Sequence, residues 1–388
     1  MRSVGCAVVG FLAVLGGCGN VVSYHPDAAA DAGAPFVDQP AGPDDLGAVG
    51  APDVAAAKDA GEAPSDDAGE APSDDAGEAP DVVTAPVDAG ARDFSLRGPY
   101  LVGSWTGPIP GTATQARALY PTSTTARVPL VIFAHGFQLA VNNYDGLLAH
   151  IASWGYVVVS VDYPGTILSV DHRDVPRAMI AARTALAFGV SGFPATSILD
   201  LNHTAVMGHS LGAKGAIMAI LDEPAFVAAV ALDPVDDNPS PIGTVSAATP
   251  SIAPEQMGRL TRPLALFGGT QSRCQQLGSA CAPEASNYLQ FAAAAPAGAQ
   301  IGLYPLVNFG HQDFVDTACG FQCGLCAHGA APLDSRLAAL RFLSVAFLER
   351  YVRGDESLQT YVNGAGRDGY VSSGALWDGH TATLPACP

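Results

Sequence analysis

The sequence predicts an α/β domain, a mostly parallel central sheet with helices on both faces. Three observations carry that expectation. From about Asp93 onward, short runs rich in Val, Ile, Leu and Ala recur without polar interruption. Stretches with helical spacing separate them. A serine flanked by glycines falls where one apolar run gives way to a helical stretch. Strands that are apolar throughout, rather than alternating, are buried on both faces, which is the condition of a parallel sheet covered by helices.

In chain order, Val128–Ala134 reads as the first buried strand and Tyr144–Trp154 as a helix. Tyr156–Asp162 is a strand, Val175–Phe188 a helix and Thr204–Met207 a strand. Leu211–Leu221 is a helix, and Phe226–Leu232, Pro263–Phe267 and Ile301–Val307 are three more strands. Ser335–Tyr351 is a long last helix. No second core is apparent, so residues 94–388 are expected to form one catalytic domain.

The amino-terminal part has a different character. Met1-Arg2-Ser3 and the short apolar run Val4–Leu15 have the pattern of an export signal, too short to span a bilayer. The run ends in Leu15-Gly16-Gly17-Cys18, which resembles the bacterial lipobox, so residues 1–18 are expected to direct acylation of Cys18. Residues 19–93 are Ala, Gly, Pro and Asp with few large apolar side chains. They contain a perfect octad repeat, Ala60–Asp67 and again Ala68–Asp75. Between Asp27 and Asp93 lie seventeen Asp and Glu against Lys58 and Arg92, so this stretch carries fifteen of the nineteen net negative charges. A segment of this composition cannot bury enough surface to order itself, and a disordered, self-repelling spacer is expected. The near-neutral remainder offers no basic stripe for nucleic acid. The implied location is the bacterial cell envelope, lipid-anchored, at the outer membrane or cell surface.

The chemistry centres on Gly208-His209-Ser210-Leu211-Gly212. A G-x-S-x-G sequence between strand and helix places the serine on a sharp turn, its hydroxyl above the sheet. Ala134-His135-Gly136-Phe137 closes an earlier strand. The backbone N–H groups of Phe137 and Leu211 would form an oxyanion hole, with His135 itself a structural side chain. Asp233 follows the strand after the serine's and is the expected acid. The next strand ends in Gly268-Gly269-Thr270-Gln271, which offers no carboxylate. Asp236 and Asp237 stand close enough to compete, and Asp162 reads as a loop-bracing residue. His311, just after the last strand, is the expected base; His328 and His380 follow no strand. The chain order Ser, Asp, His is that of the α/β-hydrolase fold.

Taken together, His135-Gly136-Phe137, Leu147–Gly155, Gly208–Gly212, Leu232–Val235, Cys281–Glu284 and Gly310–Asp313 resemble chlorophyllases, from about Val128 to Asp316. That family hydrolyses the phytyl ester of chlorophyll, and its serine, aspartate and histidine fall on Ser210, Asp233 and His311. His311-Gln312 with Phe314 is also similar to platelet-activating-factor acetylhydrolases. Leu211 stands where plant chlorophyllases usually carry arginine, and the acidic leader and cysteine-rich loop are foreign to the plant family.

Besides Cys6 and Cys18 there remain Cys274, Cys281, Cys319, Cys323, Cys326 and Cys387. An even number in an exported chain points to disulfides. Cys274 and Cys281 could close a small loop, and Cys387 could tie the tail to the Cys319–Cys326 region. The Cys319, Cys323, Cys326 spacing also fits a cluster-binding loop, but export favours disulfides. No metal site or cofactor is expected, because hydrolysis by a serine triad needs none. Lys214 is expected to be solvated or ion-paired, and Asp236–Thr261 to form a pocket rim or small lid. The expected function is a serine carboxylic ester hydrolase with an acyl-enzyme intermediate and a lipophilic, small-molecule ester substrate. An amidase or lipase, or a non-catalytic binding lipoprotein on the same fold, are the alternatives.

Overall fold

The computed structural model describes residues 92–388 except 167–168, 237–247, 277–279, 317–323, 379–382 and 388. The expected leader with Cys18, the acidic spacer up to residue 91, Asp237, Cys319, Cys323 and His380 lie outside the described residues. Arg92 and Asp93 already belong to the folded part, where Arg92 pairs with Glu349 and Asp355.

An eight-stranded sheet runs in the order β1-β2-β4-β3-β5-β6-β7-β8. Its strands are β1 (Val102–Pro108), β2 (Gln115–Pro121), β3 (Val128–Ala134), β4 (Val157–Val161), β5 (Leu199–His209), β6 (Phe226–Leu232), β7 (Leu264–Gly269) and β8 (Ile301–Leu306). From β4 to β8 every neighbouring pair is parallel. β1 and β2 form an antiparallel hairpin, and β2 joins β4 antiparallel. The helices are α1 (Asp145–Ser153), α2 (Asp174–Phe188), α3 (Leu211–Asp222), α4 (Tyr288–Ala294), α5 (Asp334–Tyr351), α6 (Gln359–Asn363) and α7 (Ala365–Ser372). This is the α/β-hydrolase fold.

The strand sequences show why both faces are covered. Successive side chains of a strand point to opposite sides. Leu130, Ile132 and Ala134 enter one core with Val157, Val159, Val161, Leu264 and Leu266, under α2 and α3. Val131 and Phe133 enter the other with Val158, Val230, Leu232 and Phe267, under α1 and α5. An apolar residue is therefore needed at every position, and β3, β4, β6 and β7 are apolar or small throughout. No described helix is long and apolar enough to cross a membrane.

The cysteine pairing differs from the expectation. Cys274 bonds Cys387 and Cys281 bonds Cys326. Cys274 and Cys281 do not close a small loop, and Cys387 is bonded to Cys274 rather than to a cysteine of the Cys319–Cys326 region. The reason is the path of the tail: Arg273 donates to the Pro385 carbonyl (2.7 Å) and Gln271 to that of Ala386 (3.3 Å), which brings Cys387 alongside Cys274. Gln276 meanwhile donates to the Gly324 carbonyl (3.1 Å), bringing the next loop beside Cys326. The two bridges close loops of 113 and 45 residues and contribute roughly 2–5 kcal/mol each.

Candidate active site

The loops that matter leave the carboxy-terminal ends of the parallel strands, the edge at which open α/β sheets bind ligands. β5 ends at His209 and α3 begins at Leu211, so one residue must turn the chain. Ser210 does so at φ 55° and ψ −118°, a left-handed conformation for a residue bearing a Cβ. Such backbone costs on the order of 1–3 kcal/mol. Two glycines permit it. A Cβ on Gly208 would stand 2.3 Å from the Gly212 carbonyl carbon, and one on Gly212 only 2.0 Å from the Ala134 carbonyl oxygen. The glycine spacing is thus a packing requirement of the turn. The Ser210 N–H donates to the Leu232 carbonyl (2.9 Å), fixing the turn to β6.

Asp233 directly follows β6 and is also left-handed, at φ 45°. β7 holds it at two points: its N–H donates to the Phe267 carbonyl (2.9 Å), and its Oδ1 accepts from the Gly269 N–H (3.1 Å). Its Oδ2 lies 2.6 Å from His311 Nδ1. His311 opens a short turn, His311–Phe314, just past β8, and its Nε2 lies 3.0 Å from Ser210 Oγ. Side-chain partners separated by 78 and 101 residues in sequence thereby stand in one line. Asp233 is fully buried, His311 nearly so, and Ser210 is 8% exposed, so exposure rises along the line towards the serine.

The proton inventory fixes the roles available. With Asp233 as the carboxylate, His311 Nδ1–H donates to it and Nε2 presents its lone pair to the Ser210 hydroxyl. Both Asp233 oxygens have a donor, the condition for holding a charge away from water. The arrangement can remove a proton from the serine and stabilise the imidazolium that forms.

Phe137 and Leu211 stand on neighbouring strand ends, because β3 and β5 pair with Ala134 opposite Gly208. Leu211 is the first residue of α3, so its N–H has no acceptor within the helix. Phe137 lies between Gly136 and the left-handed Gln138 (φ 61°). Beside that loop opens a cavity of about 280 Å³, whose lining includes Phe137, Leu139, Tyr163 and Val170.

The competing residues go elsewhere. Asp162 Oδ1 contacts His135 Nε2 (3.0 Å) and accepts from the Tyr163 N–H (2.8 Å), while His135 stacks on Tyr163, so both brace the loops. Asp236 accepts from the Ile252 and Ala253 N–H groups (2.9 and 3.0 Å) and does not meet His311. That contact pins the described part of the Asp236–Thr261 segment. His328 is half exposed and bonds Asp313 (2.9 Å).

Lys214 is ion-paired and completely buried. Its Nζ lies 3.1 Å from Asp236 Oδ1, 2.8 Å from the Asp236 carbonyl, 2.5 Å from the Pro250 carbonyl and 3.2 Å from His172 Nδ1. The sequence carried a signal for this burial. Leu211–Ile220 is apolar or small on every side but for Lys214, and a helix apolar all round is an interior helix.

The comparisons with known proteins agree with this architecture. The chlorophyllase family profile matches residues 112–365. Chlorophyllase-1 of Citrus unshiu, a chloroplastic protein, is 26% identical over 239 residues, 58% of this chain and 69% of that protein. Chlorophyllase-1 of Arabidopsis thaliana is 28% identical over 250 residues, 59% of this chain and 74% of that protein. The bis(hydroxyethyl) terephthalate hydrolase of Streptomyces coelicolor is 32% identical over 158 residues, 39% of this chain and 47% of that protein. With the matched region spanning sheet, elbow and His311, the chain belongs to the chlorophyllase family.

Proposed function

We propose that the protein is a serine carboxylic ester hydrolase working through an acyl-enzyme intermediate. Ser210 Oγ attacks the ester carbonyl while His311 Nε2 takes its proton. The imidazolium, held by Asp233, then gives that proton to the leaving alcohol. Backbone N–H groups of Phe137 and Leu211 receive the charge that develops on the carbonyl oxygen, each worth on the order of a hundredfold. Water repeats the sequence to release the acid. The observation that carries this reading is the hydrogen-bonded line from Asp233 through His311 to a serine on a strained turn. Family membership supports ester hydrolysis independently of that line.

The substrate we propose is a lipophilic small-molecule ester, with no cofactor required. Relatives named for chlorophyll and for a terephthalate ester both support a broad, apolar ester class. The Leu15–Cys18 sequence supports export and anchoring through acylated Cys18, with the acidic spacer holding the domain off the membrane. Two acyl chains or more on one residue suffice for stable anchoring.

Hydrolysis of p-nitrophenyl esters of increasing acyl length, by the full chain beside Ser210→Ala, tests the reading. Turnover should fall by up to about a millionfold in the variant and rise with chain length in the wild type. Equal rates in the two proteins would refute the mechanism, and activity confined to the acetate would refute the lipophilic substrate. Labelling by a fatty-acid probe should disappear in Cys18→Ser; persistence would remove the anchor.

A further inference from the structure

Behind the candidate site runs a second line of hydrogen bonds, from side chains the proposed reaction leaves unused. The Gly136 N–H donates to the Tyr144 hydroxyl oxygen (3.0 Å). The hydroxyl stands 2.8 Å from His209 Nδ1, and His209 Nε2 stands 2.9 Å from the His311 carbonyl oxygen. The direction of each bond follows from the groups at the ends. A carbonyl only accepts, so His209 carries its proton on Nε2. Nδ1 is then an acceptor, and it takes the single Tyr144 O–H. The tyrosine oxygen is left to accept from the amide, which only donates. Every donor and acceptor is used once.

Both side chains are completely buried. Burial drives the His209 imidazole well below its ordinary pKa, with the neighbouring His311 adding to the effect, and raises the Tyr144 phenol. The rings are also confined. Tyr144 packs on Phe133 at 4.6 Å, and His209 packs on His311 at 4.6 Å and on Phe314 at 5.7 Å. A neutral ring is what the position demands, because a cation there would oppose the imidazolium that forms on His311.

What the line connects is specific. One end is the peptide next to Phe137, the proposed oxyanion donor; the other is the backbone of His311, the proposed base. These two parts meet the reacting carbonyl from different strand ends. Farther along, their loops are tied where the Asp316 N–H donates to the Asn143 carbonyl (2.9 Å), and the line through Tyr144 and His209 is the tie next to the reacting groups. We infer that Tyr144 and His209 are positioning residues, a strut that sets the oxyanion turn at Gly136–Phe137 against His311. The inference rests on the serine hydrolase reading above.

Tyr144→Phe removes only the hydroxyl. His209→Gln keeps an amide donor near Nε2 for the His311 carbonyl and gives up the Tyr144 contact. In the full chain, each should lower kcat by ten- to a hundredfold with KM within about twofold, because displacement by about 1 Å can cost a hundredfold. The double variant should be no slower than either single one, since both cut the same line. Unchanged kcat, losses that multiply, or a raised KM at constant kcat would each overturn the strut. Nitrogen-15 NMR of histidine-labelled protein reads the bonds without activity, with His209 assigned by the signal that His209→Gln removes. An Nε2–H tautomer whose Nδ1 shift moves in Tyr144→Phe is expected; an Nδ1–H tautomer overturns the inference. If Ser210→Ala kept full activity, the hydrolase reading would fail while the NMR result still decided whether the strut exists.

Discussion

Two buried polar clusters hang from the turn and first helical turn around Ser210, and they are built on opposite principles. Asp233, His311 and Ser210 form a line whose last member sits on strained backbone. Lys214, Asp236 and His172 form a closed knot in which the ammonium meets a carboxylate, two main-chain carbonyls and an imidazole. Both hold ionisable groups away from water, and only the line ends in a hydroxyl on left-handed backbone. Burial and charge alone therefore do not tell the two clusters apart; backbone strain does. The knot joins α3 to the chain at His172, Asp236 and Pro250, and its role is to hold them.

The sharpest way to break the comparison is to remove one charged member of each cluster and read rate against stability. Asp233→Asn keeps the shape and removes the charge, which leaves His311 without a partner to fix its tautomer. Its kcat should drop by about ten-thousandfold with little change in melting temperature. A loss under tenfold would mean that Asp233 only packs beside His311.

The next largest effect belongs to the knot, and its sign is the reverse. Lys214→Met fills a similar volume but leaves Asp236 and two carbonyls facing an apolar side chain. Breaking a buried pair from one side costs about 3–5 kcal/mol. Urea denaturation should show that loss while the kcat of the surviving folded protein stays within about threefold. A fall in kcat comparable to that of Asp233→Asn would place Lys214 in the reaction and collapse the distinction.

The same contrast governs how much was legible in the sequence. Strands β3, β4, β6 and β7 could be read because burial on both faces demands apolar residues throughout, and the edge strand β8 because Ile301, Leu303, Tyr304 and Leu306 keep it apolar. β1 and β2 could not, because the hairpin at the opposite edge mixes polar and small residues with apolar ones. β1 buries a single residue, Gly107, and β2 buries Ala116, Ala118, Leu119 and Pro121 while carrying a half-buried Arg117. The amino-terminal part of β5, Asp200–His203, was hidden by its polar side chains and by a shift in pairing with β3. Ser210, Asp233 and His311 were legible because each follows a readable strand in a known order. The knot was harder to find: Asp236 sat three residues from a stronger candidate, and His172 belongs to a loop with no pattern. The cysteine pairing was illegible because it depends on where the tail runs, not on spacing.

The smallest effect separates the clusters by their response to acid. Burial, helped by the Lys214 cation, lowers the His172 pKa from 6.5 to about 4, against the opposing pull of Asp171 and Asp236. His150, buried on α1 with Nε2–H donating to the Phe94 carbonyl, is likewise lowered to about 4, chiefly by burial. In the unfolded chain both take up protons as the pH drops through about 6.5. The native protein resists until about 4, so it binds fewer protons across that interval. Stability is then complete above about pH 6.5 and declines between 6.5 and 4, by on the order of 1 kcal/mol per pH unit for each histidine. The difference between wild type and His172→Gln isolates one of them from the carboxylates that titrate in the same range. That difference should shrink steadily below pH 6.5, because the variant lacks the acid-labile group. In Lys214→Met the ammonium no longer repels a proton on His172, so its share of the decline should narrow to a smaller interval just below 6.5. A pH-independent difference between wild type and His172→Gln would show that His172 has the same pKa folded and unfolded, so that neither burial nor the Lys214 cation acts on it in the knot.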